Sequence, residues 1–134
     1  MSWYEKSDIV NSEVEDIILS YDLNREAIVE AKLIGEVEEL ISESAEKFKL
    51  ILENRHLELT VYHIIPFWRN GELIEDNCGV VEVGDELLCI NSEELNVRKE
   101  KIIEIEVGMT DNTPVRHPKS SNGYYFVNGI LLHD

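Results

Sequence analysis

The residues able to do chemistry are few: four histidines, two cysteines and 28 carboxylates in a chain of 134 residues. His56 and His63 stand seven apart in a stretch that alternates like one strand, which puts them on opposite faces and denies them a shared small substrate. His63 shares its face with Val61 and Ile65, the setting of a partly buried histidine without a catalytic part. Cys78 precedes Gly79 in a turn, and the neighbouring Glu75 and Asp76 would raise its pKa and oppose a thiolate. No Cys/His nucleophile pair is expected, and no catalytic residue is assigned.

Glu75/Asp76 and Asp85/Glu86 offer paired carboxylates, but the alternating oxygen ligands and central glycine of a calcium loop are missing. Two cysteines without CxxC spacing and four dispersed histidines build no metal framework. Neither metal nor cofactor is expected, and Cys78 and Cys89 read as reduced structural thiols. One island stands apart in composition. Arg116, His117, Lys119, Ser120, Ser121 and Asn122 bring two cations, an imidazole, two hydroxyls and backbone donors together. They form a candidate loop for a phosphate or carboxylate, without the full phosphate-loop pattern.

Charge narrows the partners. The chain has 28 acidic and 12 basic residues, a net −16, and residues 56–97 alone hold nine acids against one base. Such a field repels nucleic acid and anionic membrane, which need clustered Lys and Arg, and attracts a basic protein. The candidate partner surface is Glu72, Glu75, Asp76, Glu82, Asp85 and Glu86, with Phe67 and Trp68 as apolar anchors at a hairpin. The function expected from this is a small acidic, non-enzymatic inhibitor of a basic partner such as a nuclease or toxin. Immunity proteins and phage anti-defence proteins work in this way, their carboxylates standing in for phosphates.

The elements that must position these groups divide the chain in two. Over residues 24–55, Ala27, Ala31, Ile34, Ile41, Ala45, Phe48 and Leu52 recur at three- and four-residue steps, predicting a long amphipathic helix capped by Asn24. Gly35 is its weak point. A shorter helix is predicted before it, with Ser12–Glu15 as capping box and Trp3 and Tyr4 as an aromatic anchor, so that residues 1–55 form an αα-hairpin.

From His56 the period falls to two. Strands are predicted over 57–65, 80–83, 86–90 and 102–107, with tight hairpins at Asn70-Gly71, Gly84-Asp85 and Asn128-Gly129. Pro66 interrupts or bulges the first ladder. Residues 108–123, with Pro114 and Pro118, read as a long loop. The fold expected is a single α+β domain over 1–134: the helical hairpin of residues 1–55 packs on a predominantly antiparallel sheet of five to seven strands in 56–134.

That element order resembles cystatin-like and NTF2-like rolls. It supports an alternative function, a small-ligand binder or enzyme with a cleft between long helix and curved sheet. A third reading is an oligomeric accessory protein, and the expected state is a monomer or small homo-oligomer. No stretch approaches the roughly 18 apolar residues of a membrane span, and the first residues have no export signature, so a cytoplasmic protein is expected.

Overall fold

Between residues 27 and 38 two periodicities compete, and the backbone follows the shorter. Val29, Ala31, Leu33, Gly35 and Val37 alternate with Glu30, Lys32, Ile34, Glu36 and Glu38 as cleanly as the apolar residues fit a helical stripe. The computed structural model describes residues 16–40, 46–91, 93–109 and 114–134. Its strands are β1 (Ile17–Asp22), β2 (Ala27–Leu40), β3 (Glu46–Ile51), β4 (His56–Thr60), β5 (Ile64–Arg69) and β6 (Glu72–Asn77). After a 3-10 turn at Cys78–Val80 come β7 (Glu86–Asn91), β8 (Asn96–Lys101), β9 (Glu104–Met109), β10 (Pro114–Ser120), β11 (Tyr124–Val127) and β12 (Ile130–His133).

No α-helix occurs among the described residues, so the expected α+β class gives way to a nearly all-β one. Burial shows why. Ile34, which the helical stripe would bury, is 56% exposed, and Leu50, which lies off that stripe, is 0% exposed. Asn24 does not cap a helix. It belongs to a hairpin turn between β1 and β2, where Asp22 Oδ1 accepts from the amides of Asn24 (2.9 Å) and Arg25 (3.1 Å) and Glu26 adopts φ +53°. Trp3, Tyr4 and the capping box at 12–15 lie outside the described residues, and the later part of the expected first helix is β1.

Among the described residues all strand pairings are antiparallel, and they build three sheets rather than one. The first has the order β1-β2-β10, with β1 on the early part of β2 and β10 on its later part. The second follows β11-β12-β7-β5-β6, with β8 also on β7, and the third is β4-β3-β9. The expected loop over 108–123 is thus largely strand. Its prolines are tolerated because β10 lies on a sheet edge, where a missing N–H breaks no inner ladder. The continuous strand expected over 57–65 breaks instead at residues 61–63, where the His63 amide bonds the Thr60 carbonyl and the Cys78 amide bonds the His63 carbonyl.

The Asn70-Gly71 and Asn128-Gly129 hairpins are present, all four residues at positive φ as a type I′ turn demands. The hairpin expected at Gly84-Asp85 is not; β7 pairs antiparallel with β8 instead, Asn91 opposite Asn96.

Two apolar clusters form the core, one on either face of β7 and of the β11–β12 hairpin. Leu87, Cys89, Tyr125, Ile130 and Leu132 enter one; Leu88, Ile90, Phe126 and Leu131 enter the other. Strands buried on both faces read as unbroken apolar runs, as Leu87-Leu88-Cys89-Ile90 and Ile130-Leu131-Leu132 do. The second sheet also curls. β11 and β6 stand at opposite ends of its path, yet the Tyr124 hydroxyl on β11 bonds the Glu75 carboxylate on β6.

Candidate functional site

The last hairpin carries its polar groups at the open end, away from the Asn128-Gly129 turn. Tyr124 pairs with His133 across the strands, and Asp134 follows. The Asp134 amide donates to the Gly123 carbonyl at 2.8 Å, and its carboxylate Oδ2 accepts from the Ser120 amide at 2.9 Å. Backbone and side chain of Asp134 are therefore both fixed. His133 Nδ1 lies 2.8 Å from the Asp134 carbonyl oxygen and 3.8 Å from its Oδ1. Since a carbonyl only accepts, that contact requires Nδ1 to carry a proton. The Tyr124 ring meets the imidazole edge-on, with centroids 4.7 Å apart and planes at 69°.

Gly123 makes the arrangement possible. Its φ of +84° suits glycine, and a Cβ there would lie 3.9 Å from Asp134 Oδ1 and 4.0 Å from His133 Cε1. The site thus sets an imidazole against the main-chain oxygen of Asp134, with the side-chain carboxylate of the same residue beside both. Sequence reasoning assigned nothing to His133 or Asp134. Their only signal was position, directly after an apolar strand and opposite Tyr124.

The cationic island resolves into other work. Arg116 and His117 are on β10, in register with Glu38 and Val37, so no anion-cradling loop forms there. Lys119 is exposed and Ser120 buried. Asn122 Oδ1 accepts from Ser20 Oγ (3.0 Å), Ser120 Oγ (2.8 Å) and the Tyr124 amide (3.2 Å), while its Nδ2 donates to the Tyr21 carbonyl. Ser121 Oγ accepts from the Lys32 amide at 2.9 Å. These bonds clasp β1, β2 and β10 to β11 and set the floor beneath Asp134.

The anionic block is split by burial: Glu72, Glu75, Asp76 and Glu82 are exposed, Glu86 is half-buried and Asp85 buried. Phe67 and Trp68 are core residues at 0% and 9% exposure, not surface anchors. Asp85 is 3% exposed and bidentate to Arg69, at 2.9 Å to Nε and 2.8 Å to the terminal nitrogen, with the Glu82 amide at 2.7 Å. Burial pushes the Asp85 carboxyl up, but the bonds from Arg69 and from the Glu82 amide outweigh it and hold the pKa below the usual value. Glu72 and Asp76 are exposed on β6 beside Glu75, which bonds Tyr124; Glu82 is exposed and Glu86 half-buried.

His63, in its turn, lies with Nε2 3.4 Å from the Tyr125 hydroxyl, the two rings edge-to-face at 6.5 Å. Cys78 and Cys89 are free and buried, and burial pushes each thiol up to about 12, with Glu100 adding to the rise at Cys89. Among the described residues no cluster of potential ligands could hold a metal ion.

No family model and no curated protein matches this chain. Solved structures do. An intein from a hyperthermophile superposes with TM-score 0.78 at 17% identity, covering 88% of this chain and 71% of its own. The intein precursor KlbA from Methanococcus jannaschii gives 0.74 at 21% identity, covering 94% and 67%. A bacterial intein-like domain from Clostridium thermocellum gives 0.69 at 21% identity, covering 94% and 86%.

At these identities the likeness establishes the fold: the chain is intein-like and nearly all β. The neighbours are protein-splicing domains, not inhibitors or immunity proteins. That overturns the acidic-inhibitor reading, and with it the expectation of a plainly non-enzymatic protein. Physically, the inference failed because charge was counted along the chain, whereas Asp85 and Glu75 are used in internal contacts and the apolar anchors are inside.

Proposed function

We propose that this is a self-processing domain that breaks a peptide bond made by the Asp134 carbonyl wherever a residue follows it. The observation that carries the reading is the 2.8 Å contact of His133 Nδ1 with the Asp134 carbonyl oxygen. The fold likeness to inteins supports it, since those neighbours are self-splicing domains.

The chemistry follows from the geometry. A carboxylate oxygen of Asp134 attacks its own carbonyl carbon, closing a five-membered cyclic anhydride. The His133 N–H stabilises the oxygen as charge develops on it, an arrangement worth roughly 100- to 1,000-fold in rate for one such donor. The carbon–nitrogen bond breaks, and the leaving nitrogen takes the proton the imidazolium gives up. Water then opens the anhydride to two carboxyl groups and restores the proton to His133. The fixed amide of Asp134 and the Ser120 bond to its side chain hold nucleophile and carbon together, which supplies effective concentration rather than chemistry.

The test is a fusion with a compact reporter joined directly after Asp134. Release of the reporter, slowed strongly in His133→Ala, supports the reading. A fusion that stays whole from acid to mildly alkaline pH, with the domain folded, rejects it.

A further inference from the structure

The Tyr124–Glu75 contact sits beside the proposed reacting groups, belongs to neither of them, and joins strands from opposite ends of one sheet path. The Tyr124 hydroxyl donates to Glu75, and the same ring packs edge-on against His133. Burial first, then the bond to Glu75, keeps that hydroxyl protonated, so it acts as a steady donor. A half-turn of the imidazole about χ2 exchanges Nδ1 with Cδ2, so only one of the two ring orientations leaves a nitrogen facing the Asp134 carbonyl. The ring is constrained on one side by Tyr124 and on the other by Asp134, whose Oδ1 is 3.8 Å from its Nδ1.

Tethering the phenol at its far end converts a mobile ring into a fixed wall. Without the Glu75 bond, Tyr124 would keep its strand register opposite His133 but lose the anchor of its hydroxyl. Glu75 is thus drawn into a role that its place in an acidic stretch does not suggest.

Resting on the reading that His133 assists cleavage after Asp134, we infer that Tyr124 and Glu75 are positioning residues, a latch across the closed edge of the sheet that holds the His133 imidazole with Nδ1 toward the Asp134 carbonyl. They touch no reacting atom and act only through His133.

The experiment combines long-range nitrogen–proton NMR of the His133 ring with reporter release from the fusion, in Tyr124→Phe, Glu75→Gln and the double variant. All three retain side-chain volume, and amide spectra confirm that each is folded. In the wild type, at a pH where the ring is neutral, its proton should be held on Nδ1. Each single variant should shift it toward the Nε2-protonated form common in free imidazoles and slow release about 5- to 20-fold. The double variant should be no worse than the worse single, as a shared pathway requires.

An unchanged ring tautomer in every variant overturns the latch even if release slows, because slowing alone is what a merely structural role gives. Additive losses in the double variant also overturn it. A wild-type fusion that releases nothing, while the tautomer still responds to both substitutions, rejects the cleavage reading and leaves the latch standing.

Discussion

Tyr125 is 2% exposed and its hydroxyl stands 3.4 Å from His63 inside the larger apolar cluster. Tyr124, one residue earlier on β11, is only partly buried and meets His133 at the sheet's polar margin. Two neighbouring tyrosines each contact a histidine, and strand alternation sends them to opposite faces. On the inner face, that of the larger cluster, Tyr125 joins a packed core with a half-buried His63 beside it; on the other face Tyr124 packs at the margin of the smaller cluster and borders His133 and the fixed Asp134 carboxylate. Residue type was the same in both places, so environment alone separates packing from chemistry.

The largest expected effect lies on the inner face. Tyr125→Ala should cost about 3–5 kcal/mol of stability by calorimetry, the range for emptying a buried aromatic site, whereas Tyr124→Ala should cost about 1 kcal/mol as a partly exposed position. Equal losses would erase the contrast. Next, His133→Ala should slow reporter release about 100-fold with little change in melting temperature. His63→Ala should instead lower the melting temperature and change release by no more than a few-fold. A rate loss in His63→Ala as large as that in His133→Ala would put chemistry on both faces.

Carboxylates sharpen the same comparison. Asp134 faces the site, while Asp85 is locked to Arg69, and Asp85→Asn should cost about 2 kcal/mol because a buried charged hydrogen bond is lost. The sign of its pH dependence is fixed by its depressed pKa. Its stabilisation is present above the unfolded carboxylate value near 3.9 and is lost as pH falls through the lower folded value. Acid melting curves of Asp85→Asn should therefore be flatter than those of the wild type below about pH 4. The smallest effect concerns Cys78 and Cys89. With both thiols buried and pushed up to about 12, neither should react with an aromatic disulfide at pH 8 until the protein unfolds.

Turn chemistry was legible in the sequence: Asn70-Gly71 and Asn128-Gly129 place two hairpins correctly, because positive φ at both residues admits few other sequences. Period was not. The stretch from Ala27 to Leu40 satisfies both 3.6 and 2, and its many Ala and Glu residues favour a helix locally, so only pairing with β1 and β10 decides. Pro114 and Pro118 disguised a strand as a loop because propensity carries no information about which strands end up on an edge. The site was almost invisible for a different reason. His133 and Asp134 acquire their roles from Ser120, Gly123 and Tyr124, contacts made by the hairpin and the turn before it, and Glu75 joins them only because the sheet curls.

Cleavage of the reporter fusion in heavy-oxygen water addresses the central claim most directly. The expected products are a released domain ending at Asp134 with one heavy oxygen incorporated, and a matching reporter that begins at its own first residue without label. An intact fusion, or scission at any other bond, contradicts it.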